Sequence, residues 1–421
     1  MAGVHPPRDF RQRIEEAAQG YPPQFWLLLA GSLINSSGGS MVWPFLTIYI
    51  RQKLAVPLTS AALLLTVNSL AGFAAMSVAG PAVDRLGRKW VMVVSLAVSG
   101  LTLVAMILAS SLEAWFVIFA IHGAFSPLLR VGGDAMVADL IPSERRTSAY
   151  ALVRMVQNLG VAVGPSVGGF LAVVSYGITF GVAAGASILF ALLVVFFMAE
   201  TLPGRQPSHV VDPSSVGGDA EVPDLGYGPV FRDRSFLVFV SVYTLAVMAG
   251  SVMMVLLPVY AKENYGVPEN QYGFIMATNA AMVVVLQYAT TRISSRHGYF
   301  PVLAVGALFY GLGAGSVALG WNFPTFLGSM VILTIGEMLL VPTATTLTAN
   351  LAPPDMRGRY MGIYSLSWGV AIGLGPVIGG FLNDRIAPVA IWYGTLAMGL
   401  AAAAGFLVLS RLRPVVQRVD I

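Results

Sequence analysis

Four charged side chains lie inside stretches of sequence that are otherwise apolar. Arg130 and Asp134 fall within residues 114–139, Arg154 within 148–173 and Glu337 within 324–349. A charge held at the centre of a bilayer costs about 2.5–3.5 kcal/mol on insertion scales, so those that persist face a protein interior and serve packing, a ligand or a proton. Arg130 and Asp134 are four residues apart and share a helix face. At about 1.5 Å of rise per residue, Asp134 stands roughly 7 Å and Arg130 roughly 13 Å from the end of their helix, and Arg154 roughly 9 Å from the start of the next. This arithmetic predicts one layer, Arg130–Asp134–Arg154, net positive with Asp134 ionised. It either holds an anionic group or is a purely structural network. Glu337 lies about midway along its segment with no obvious local partner. A carboxyl group so placed suits reversible proton uptake, which makes Glu337 the first candidate for proton coupling and Asp134 the second. The alternative for Glu337 is a neutral acid hydrogen-bonded to a neighbouring helix. Asn35, Gln157, Asn158, Tyr364 and Trp368, with Arg130 and Arg154, are candidates to line a substrate cavity, although each polar residue taken singly is more often an interhelical hydrogen bond. Asn68 and Asn279 read as structural, and His122 as a packed residue.

Other chemistries are excluded. The chain has no cysteine, so disulfides, thiolate metal sites and cysteine nucleophiles are absent. Its four histidines, His5, His122, His209 and His297, have no metal-ligand spacing. No Gly-x-x-x-x-Gly-Lys-Ser/Thr loop occurs, so there is no motor for nucleotide hydrolysis. Nothing calls for a cofactor, a metal or a catalytic residue, and the chain does not read as an enzyme.

The elements that must position these groups are apolar. Of 421 residues, 56% are hydrophobic and only 10% charged. A soluble domain carries about 25% charged residues, so most of this surface must face lipid. A bilayer core needs about 20 apolar residues in a helix. Twelve segments qualify: 25–50, 59–82, 90–110, 114–139, 148–173, 177–199, 235–261, 270–291, 300–320, 324–349, 359–383 and 388–410. Residues 200–234, rich in Pro, Gly, Ser and Asp, read as a linker between two six-helix bundles, 25–199 and 235–410. Residues 1–24 and 411–421 read as polar tails, with a short amphipathic helix possible over Asp9–Ala18. The fold class is therefore an all-α membrane protein of twelve transmembrane helices in two pseudo-symmetric bundles.

Lys and Arg set the orientation. One set of loops and tails carries Arg8, Arg11, Arg13, Arg85, Arg88, Lys89, Arg145, Arg146, Arg205, Arg232, Arg234, Arg292, Arg296, Arg357, Arg359, Arg411, Arg413 and Arg418. The other carries Arg51, Lys53, Lys262 and Arg385. Both termini and the linker are expected in the cytoplasm of a prokaryotic inner membrane. The net charge of +4 is explained by these loops and does not point to nucleic acid.

The two bundles repeat. One fixed offset aligns Pro142 with Pro353, Arg146 with Arg357, Gly164-Pro165 with Gly375-Pro376, Gly168-Gly169 with Gly379-Gly380, Asn68 with Asn279 and Gly87 with Gly298. A duplicated unit suits a carrier whose halves rock about a site between them. After the second segment stands Gly80-Pro-Ala-Val-Asp84-Arg85-Leu-Gly87-Arg88-Lys89, and the fifth contains Gly160-Val-Ala-Val-Gly164-Pro165-Ser-Val-Gly168-Gly169. The first resembles motif A of the major facilitator superfamily, and the second its motif C, which in that family marks proton-coupled drug exporters. The degenerate second copy of motif A, Thr291–Phe300, has Ser295 in place of the acid. Where motif B of that family carries an arginine, this chain has Phe119.

The resemblance implies a rocker-switch carrier that works as a monomer. Asp84 would latch the second helix onto the N-terminus of the eleventh when the cytoplasmic side closes, and Arg88 would pair with Asp139, while Gly160, Gly164, Pro165, Gly168 and Gly169 would let the fifth helix pack closely on the eighth. The expected function is proton-coupled export of amphipathic drug-like or lipid-like molecules, the partners being a small-molecule substrate, protons and membrane lipids. The alternative is a facilitator or importer of a defined metabolite or an anionic or zwitterionic lipid. A receptor or embedded enzyme is disfavoured by the duplicated halves.

Overall fold

The computed structural model describes residues 21–202, 227–353 and 356–412. The expected amphipathic helix Asp9–Ala18, most of the linker and the last residues of the C-terminal tail lie outside the described residues. Twelve helices are long and apolar enough to span a bilayer: α1 (Pro23–Leu54), α2 (Leu58–Leu86), α3 (Arg88–Leu108), α4 (Leu112–Leu140), α5 (Ser143–Val174), α6 (Tyr176–Phe197), α7 (Arg234–Tyr265), α8 (Glu269–Ser294), α9 (Tyr299–Leu319), α10 (Phe323–Leu351), α11 (Arg357–Arg385) and α12 (Ala390–Leu412). There is no strand among the described residues. Several helices outrun their apolar stretches by about a turn, because charged ends such as Arg51–Lys53 of α1 continue the helical hydrogen bonding beyond the apolar run.

Local chemistry sets the helix ends. Ser111 and Ser175 accept from the first-turn N–H groups of α4 and α6, Asp233 accepts from Ser235 and Phe236 at the start of α7, and Asn322 forms a capping box with Thr325 on α10. Gly266 ends α7 in the left-handed conformation at φ 67°. Pro81, Pro127, Pro165, Pro258, Pro342 and Pro376 stand inside helices, as bilayer-spanning helices allow.

Packing follows the sequence repeat. In the first six helices α1 packs on α5 and α6, α2 on α4, and α3 on α4 and α6. The last six repeat this as α7 on α11 and α12, α8 on α10, and α9 on α10 and α12. Between the two sets the partners are exchanged, α2 meeting α11 and α8 meeting α5. We call the end of the molecule that carries the α2–α3 and α4–α5 turns the basic end, and the other the far end. One buried core runs from Phe45, Leu46 and Phe180 of the first set into Tyr260, Tyr272 and Trp392 of the second, whereas Phe25, Met92, Met136 and Phe190 form a separate core within the first set.

The glycines of α5 divide their work between two neighbours, which corrects the expectation that all pack on α8. A Cβ on Gly160, Gly164 or Gly168 would fall 2.7, 1.9 or 2.4 Å from Ser36, Ser40 or Met41, all on α1. Gly169 is the one that faces α8, where a Cβ would lie 2.6 Å from the carbonyl oxygen of Glu269. Pro165 presents its carbonyl oxygen to Gly273 of α8. Residues 160, 164 and 168 form one stripe at four-residue spacing and residues 165 and 169 the adjacent one, so a run that reads as a single motif covers two faces. The repeat preserves the contact: Gly375 and Gly379 meet α7, and Gly380 meets Thr59 of α2 as Gly169 meets α8. Without a hydrophobic drive between helices in lipid, such backbone approaches supply the packing. Gly168→Ala should lower stability by about 1–3 kcal/mol through overpacking against α1 backbone. Gly181→Ala on α6, where a Cβ meets nothing within 4 Å, should not. Thermal melting of both variants in detergent checks the contrast.

Candidate functional site

At the basic end the motif-A turn is built around a carboxylate that sequence reasoning missed. Gly87 has φ 95°, a conformation L side chains rarely adopt, and a Cβ there would lie 2.2 Å from Glu200 Oε2. Glu200 follows the last turn of α6 and accepts from the backbone N–H of Arg88 at 2.9 Å and of Lys89 at 3.2 Å. It thus caps α3, where a negative charge meets the positive end of the helix dipole. Arg88 Nε lies 2.9 Å from Asp139 Oδ2, which also accepts from Thr201 Oγ1 at 3.0 Å. Arg146 donates to the carbonyls of Ala138 and Ile141 at the end of α4. Turn, α3, α4 and the end of α6 are therefore one polar unit. The signal for Glu200 was present, a lone acid at the end of the sixth apolar segment, but its target lies over a hundred residues earlier.

Asp84 touches that unit through Arg88 alone, at 3.4 Å, and its side chain is 69% exposed. Among the described residues it makes no ion pair or hydrogen bond with the N-terminus of α11. Gly80 faces open space, with nothing within 4 Å of a Cβ, and Arg85 is exposed.

The intramembrane charges fall into two groups. Arg130 and Asp134 line one cavity of about 130 Å³ with Asn35 and Gln157. Asn35 is fixed by Ser187 Oγ, which donates to its Oδ1 at 2.9 Å. Arg154 and Asn158 do not line this cavity, so the predicted three-member layer is not formed. They are exposed on the stripe of α5 that continues, at helical spacing, into Pro165 and Gly169. The rotation of Arg154 about the α5 axis is what separates it from the other two.

In the second set Glu337 is hydrogen-bonded to a neighbouring helix, one of the two readings its sequence position allowed. Asn279 Nδ2 donates to Glu337 Oε2 at 2.8 Å and lies 2.9 Å from Thr334 Oγ1. The partner comes from α8, which packs on α10, so no local sequence pattern announced it. Asn68, its repeat mate, donates to the Phe119 carbonyl at 3.2 Å. Tyr364 is also reassigned. It is buried and bonded to Tyr243 and Thr345, at 2.9 and 3.0 Å, inside the core of the second set, with Trp368 partly buried beside that core.

The two sets are clasped at the far end by Arg51 and Lys262, which the sequence had offered only as orientation markers, and by acids it had not singled out. Arg51 makes a two-point pair with Glu263, at 2.7 and 2.9 Å. Asp384, at the end of α11, accepts from the N–H of Leu58 at 3.2 Å, the N–H of Thr59 at 2.8 Å and Thr59 Oγ1 at 2.7 Å, capping α2. Glu269, buried at the start of α8, takes Tyr176 of the first set and Lys262 of the second. Further inward, Ser166 donates to the Gly273 carbonyl, Thr66 to the Gly373 carbonyl, and Phe73 lies against Gly369.

Two six-helix sets, clasped at one end and carrying polar side chains within the membrane, are the build of an integral membrane carrier for small molecules. The chain matches the family model described as Major Facilitator Superfamily over residues 28–268 and 239–420, and it belongs to that superfamily of secondary transporters. It is 27% identical over 390 residues to a protein of Planococcus maritimus named Na(+), Li(+), K(+)/H(+) antiporter, covering 87% of this chain and 89% of that one. It is 26% identical over 385 residues to the multidrug resistance protein MdtH of Yersinia pestis (strain Pestoides F), covering 90% and 92%. Among solved structures it resembles the nucleoside transporter NupG (TM-score 0.75, 14% identity, 91% of this chain and 99% of that one). It also resembles an inward-facing bacterial homologue of the lysosomal transporter Spinster (TM-score 0.72, 14% identity, 94% and 98%).

Gly87→Ala should destabilise the protein by about 1–3 kcal/mol, from the strained backbone and the displaced Glu200 carboxylate. Glu200→Ala should remove the clash but not the strain, so the double variant should melt above the sum of the two single losses. A double-mutant cycle on melting in detergent tests this.

Proposed function

We propose that the protein is a proton-coupled exporter of amphipathic drug-like or lipid-like molecules that works by alternating access, with the basic end and both termini in the cytosol of a prokaryotic inner membrane. One observation carries the reading: the contacts between the two sets described above run from mid-membrane to the far end, while Asp84 at the basic end is free of α11. This is the arrangement of a carrier closed outside and open to the cytosol. In the opposite state Asp84 would cap α11 and Asp384 would release α2, two acid-on-helix latches used in turn. The residues of motif A, Gly80, Asp84, Arg85, Gly87, Arg88 and Asp139, would work as this gate. Motif C and the likeness to MdtH support drug export, and the likeness to a cation/proton antiporter supports proton coupling.

Asp134 is the better proton carrier of the two carboxyl groups. It is exposed in a cavity next to Arg130, whereas Glu337 is engaged by Asn279. A defined anionic or zwitterionic substrate is a second reading, favoured by Arg154, which makes no ion pair among the described residues and lies on the stripe of α5 that faces α8 where the two helices touch.

In proteoliposomes under an inward proton gradient, a panel of lipophilic cations and anionic lipids should trigger proton flux that Asp134→Asn abolishes and Glu337→Gln leaves measurable. Flux that survives Asp134→Asn and vanishes in Glu337→Gln would return coupling to α10. Substrate equilibration with no proton flux would make the protein a facilitator. The latch has its own test. The chain has no cysteine, so spin labels on cysteines introduced at Leu54 and Tyr265 report the far end without background. Asp384→Ala should deplete the short-distance population, and an unchanged distribution would remove Asp384 from the gate.

A further inference from the structure

Two cavities adjoin inside the first six-helix set. The one that holds Arg130 and Asp134 shares Asn35, Ser126 and Leu129 with a second, also of about 130 Å³, between α1, α2, α3, α4 and α6. The second is walled by Trp43, Phe119, Leu103 and Met106, with Asn68 and His122 among them. Together they join a charged chamber to an aromatic one.

The histidine is held in one orientation. Thr102 Oγ1 donates its single hydrogen to the Ser99 carbonyl at 2.8 Å. With that hydrogen on Ser99, the hydroxyl oxygen accepts in its 2.9 Å contact with His122 Nδ1, and the tautomer that matches carries its proton on Nδ1. A neutral ring so fixed keeps a lone pair on Nε2, which has no hydrogen-bond partner among the described residues. No other titratable side chain lines this chamber from α1, α2, α3, α4 or α6; the nearest charges are Arg130 and Asp134 in the adjoining one. Those two stand one helical turn apart without an ion pair between them, so the charged chamber offers a cation and an anion side by side.

We propose that the joined cavities, lined by residues of the first set, are a binding site for a zwitterionic amphipath. Its head lies between Arg130 and Asp134, its apolar body against Trp43 and Phe119, and a hydrogen-bond donor on that body meets His122 Nε2. The proposal rests on the transport reading and names a substrate class for it.

Bromotyrosine is a zwitterion with a phenolic donor and a heavy atom that quenches nearby tryptophan. With the full chain in lipid nanodiscs it should quench fluorescence saturably, and Trp43→Phe should remove that component. Bromotyramine, which lacks the carboxylate, should bind about tenfold or more weakly, as should bromotyrosine to Arg130→Gln, since each deletes a charge-assisted contact. The preference for bromotyrosine over bromophenylalanine should vanish in His122→Leu. It should also weaken in Thr102→Val, which keeps the ring but releases its orientation. Quenching that is linear, or unchanged in Trp43→Phe, overturns the proposal. So does a preference that survives both His122→Leu and Thr102→Val. If this binding fails while Asp134-dependent proton flux persists, the cavity assignment falls and the export reading stands; if binding is found without any flux, the reverse holds.

Discussion

A carboxylate set against the first N–H groups of a helix other than its own is the interaction on which this structure turns. A chain with only 10% charged residues has few means of meeting the unpaired donors at its helix starts. Where the start of one helix must also be tied to a distant one, an acid does both tasks. Glu200 ties the end of α6 to α3 and makes the first set rigid at the basic end. Asp384 ties α11 to α2 and closes the two sets on each other at the far end. The first lies within one six-helix set and the second spans the seam between sets, so the same interaction braces one set and joins it to the other. Because it is electrostatic and partly exposed, it forms and breaks without the cost of tearing a packed core.

The fold was legible almost entirely. Segment length, composition and the repeat are properties of short stretches or of fixed offsets, and both survive in a linear string. The gate at the basic end was legible in part: the geometry of Gly87 and the proximity of Arg88 to Asp139 follow a local motif, whereas Glu200 comes from the far side of the same set. What could not be read was rotation. Helix arithmetic placed Arg130, Asp134 and Arg154 at similar heights, but which way Arg154 points depends on how α5 is turned against α1, and that is set by the glycines at 160, 164 and 168. The partner of Glu337 could not be named for the same reason, since Asn279 reaches it only because α8 lies on α10. Tyr364 looked like a cavity polar group, yet a hydroxyl can be satisfied by another hydroxyl in a core, as Tyr243 does here.

The first set holds more of the polar chemistry than the second. Arg130, Asp134, Gln157, His122 and Asn35 all line cavities within it, while Glu337 and Tyr364 in the second are engaged by Asn279 and Tyr243. Duplication supplied two equal scaffolds, and chemistry then diverged on them. At the positions that the repeat pairs, Ser126 and Glu337 show how a single alignment column can carry a cavity wall in one copy and a buried interhelical bond in the other.

The two seams between the sets inherit that inequality. Gly169 on α8 and Gly380 on α2 make the same backbone approach, yet the α2–α11 seam also carries the Asp384 cap, whereas the matching position on α5 is Val173. The α5–α8 side is fastened instead by Ser166 on the Gly273 carbonyl and by Tyr176 on the buried Glu269. Equal spacers thus carry unlike fasteners: a carboxylate on helix-start N–H groups along one edge, hydroxyl groups along the other.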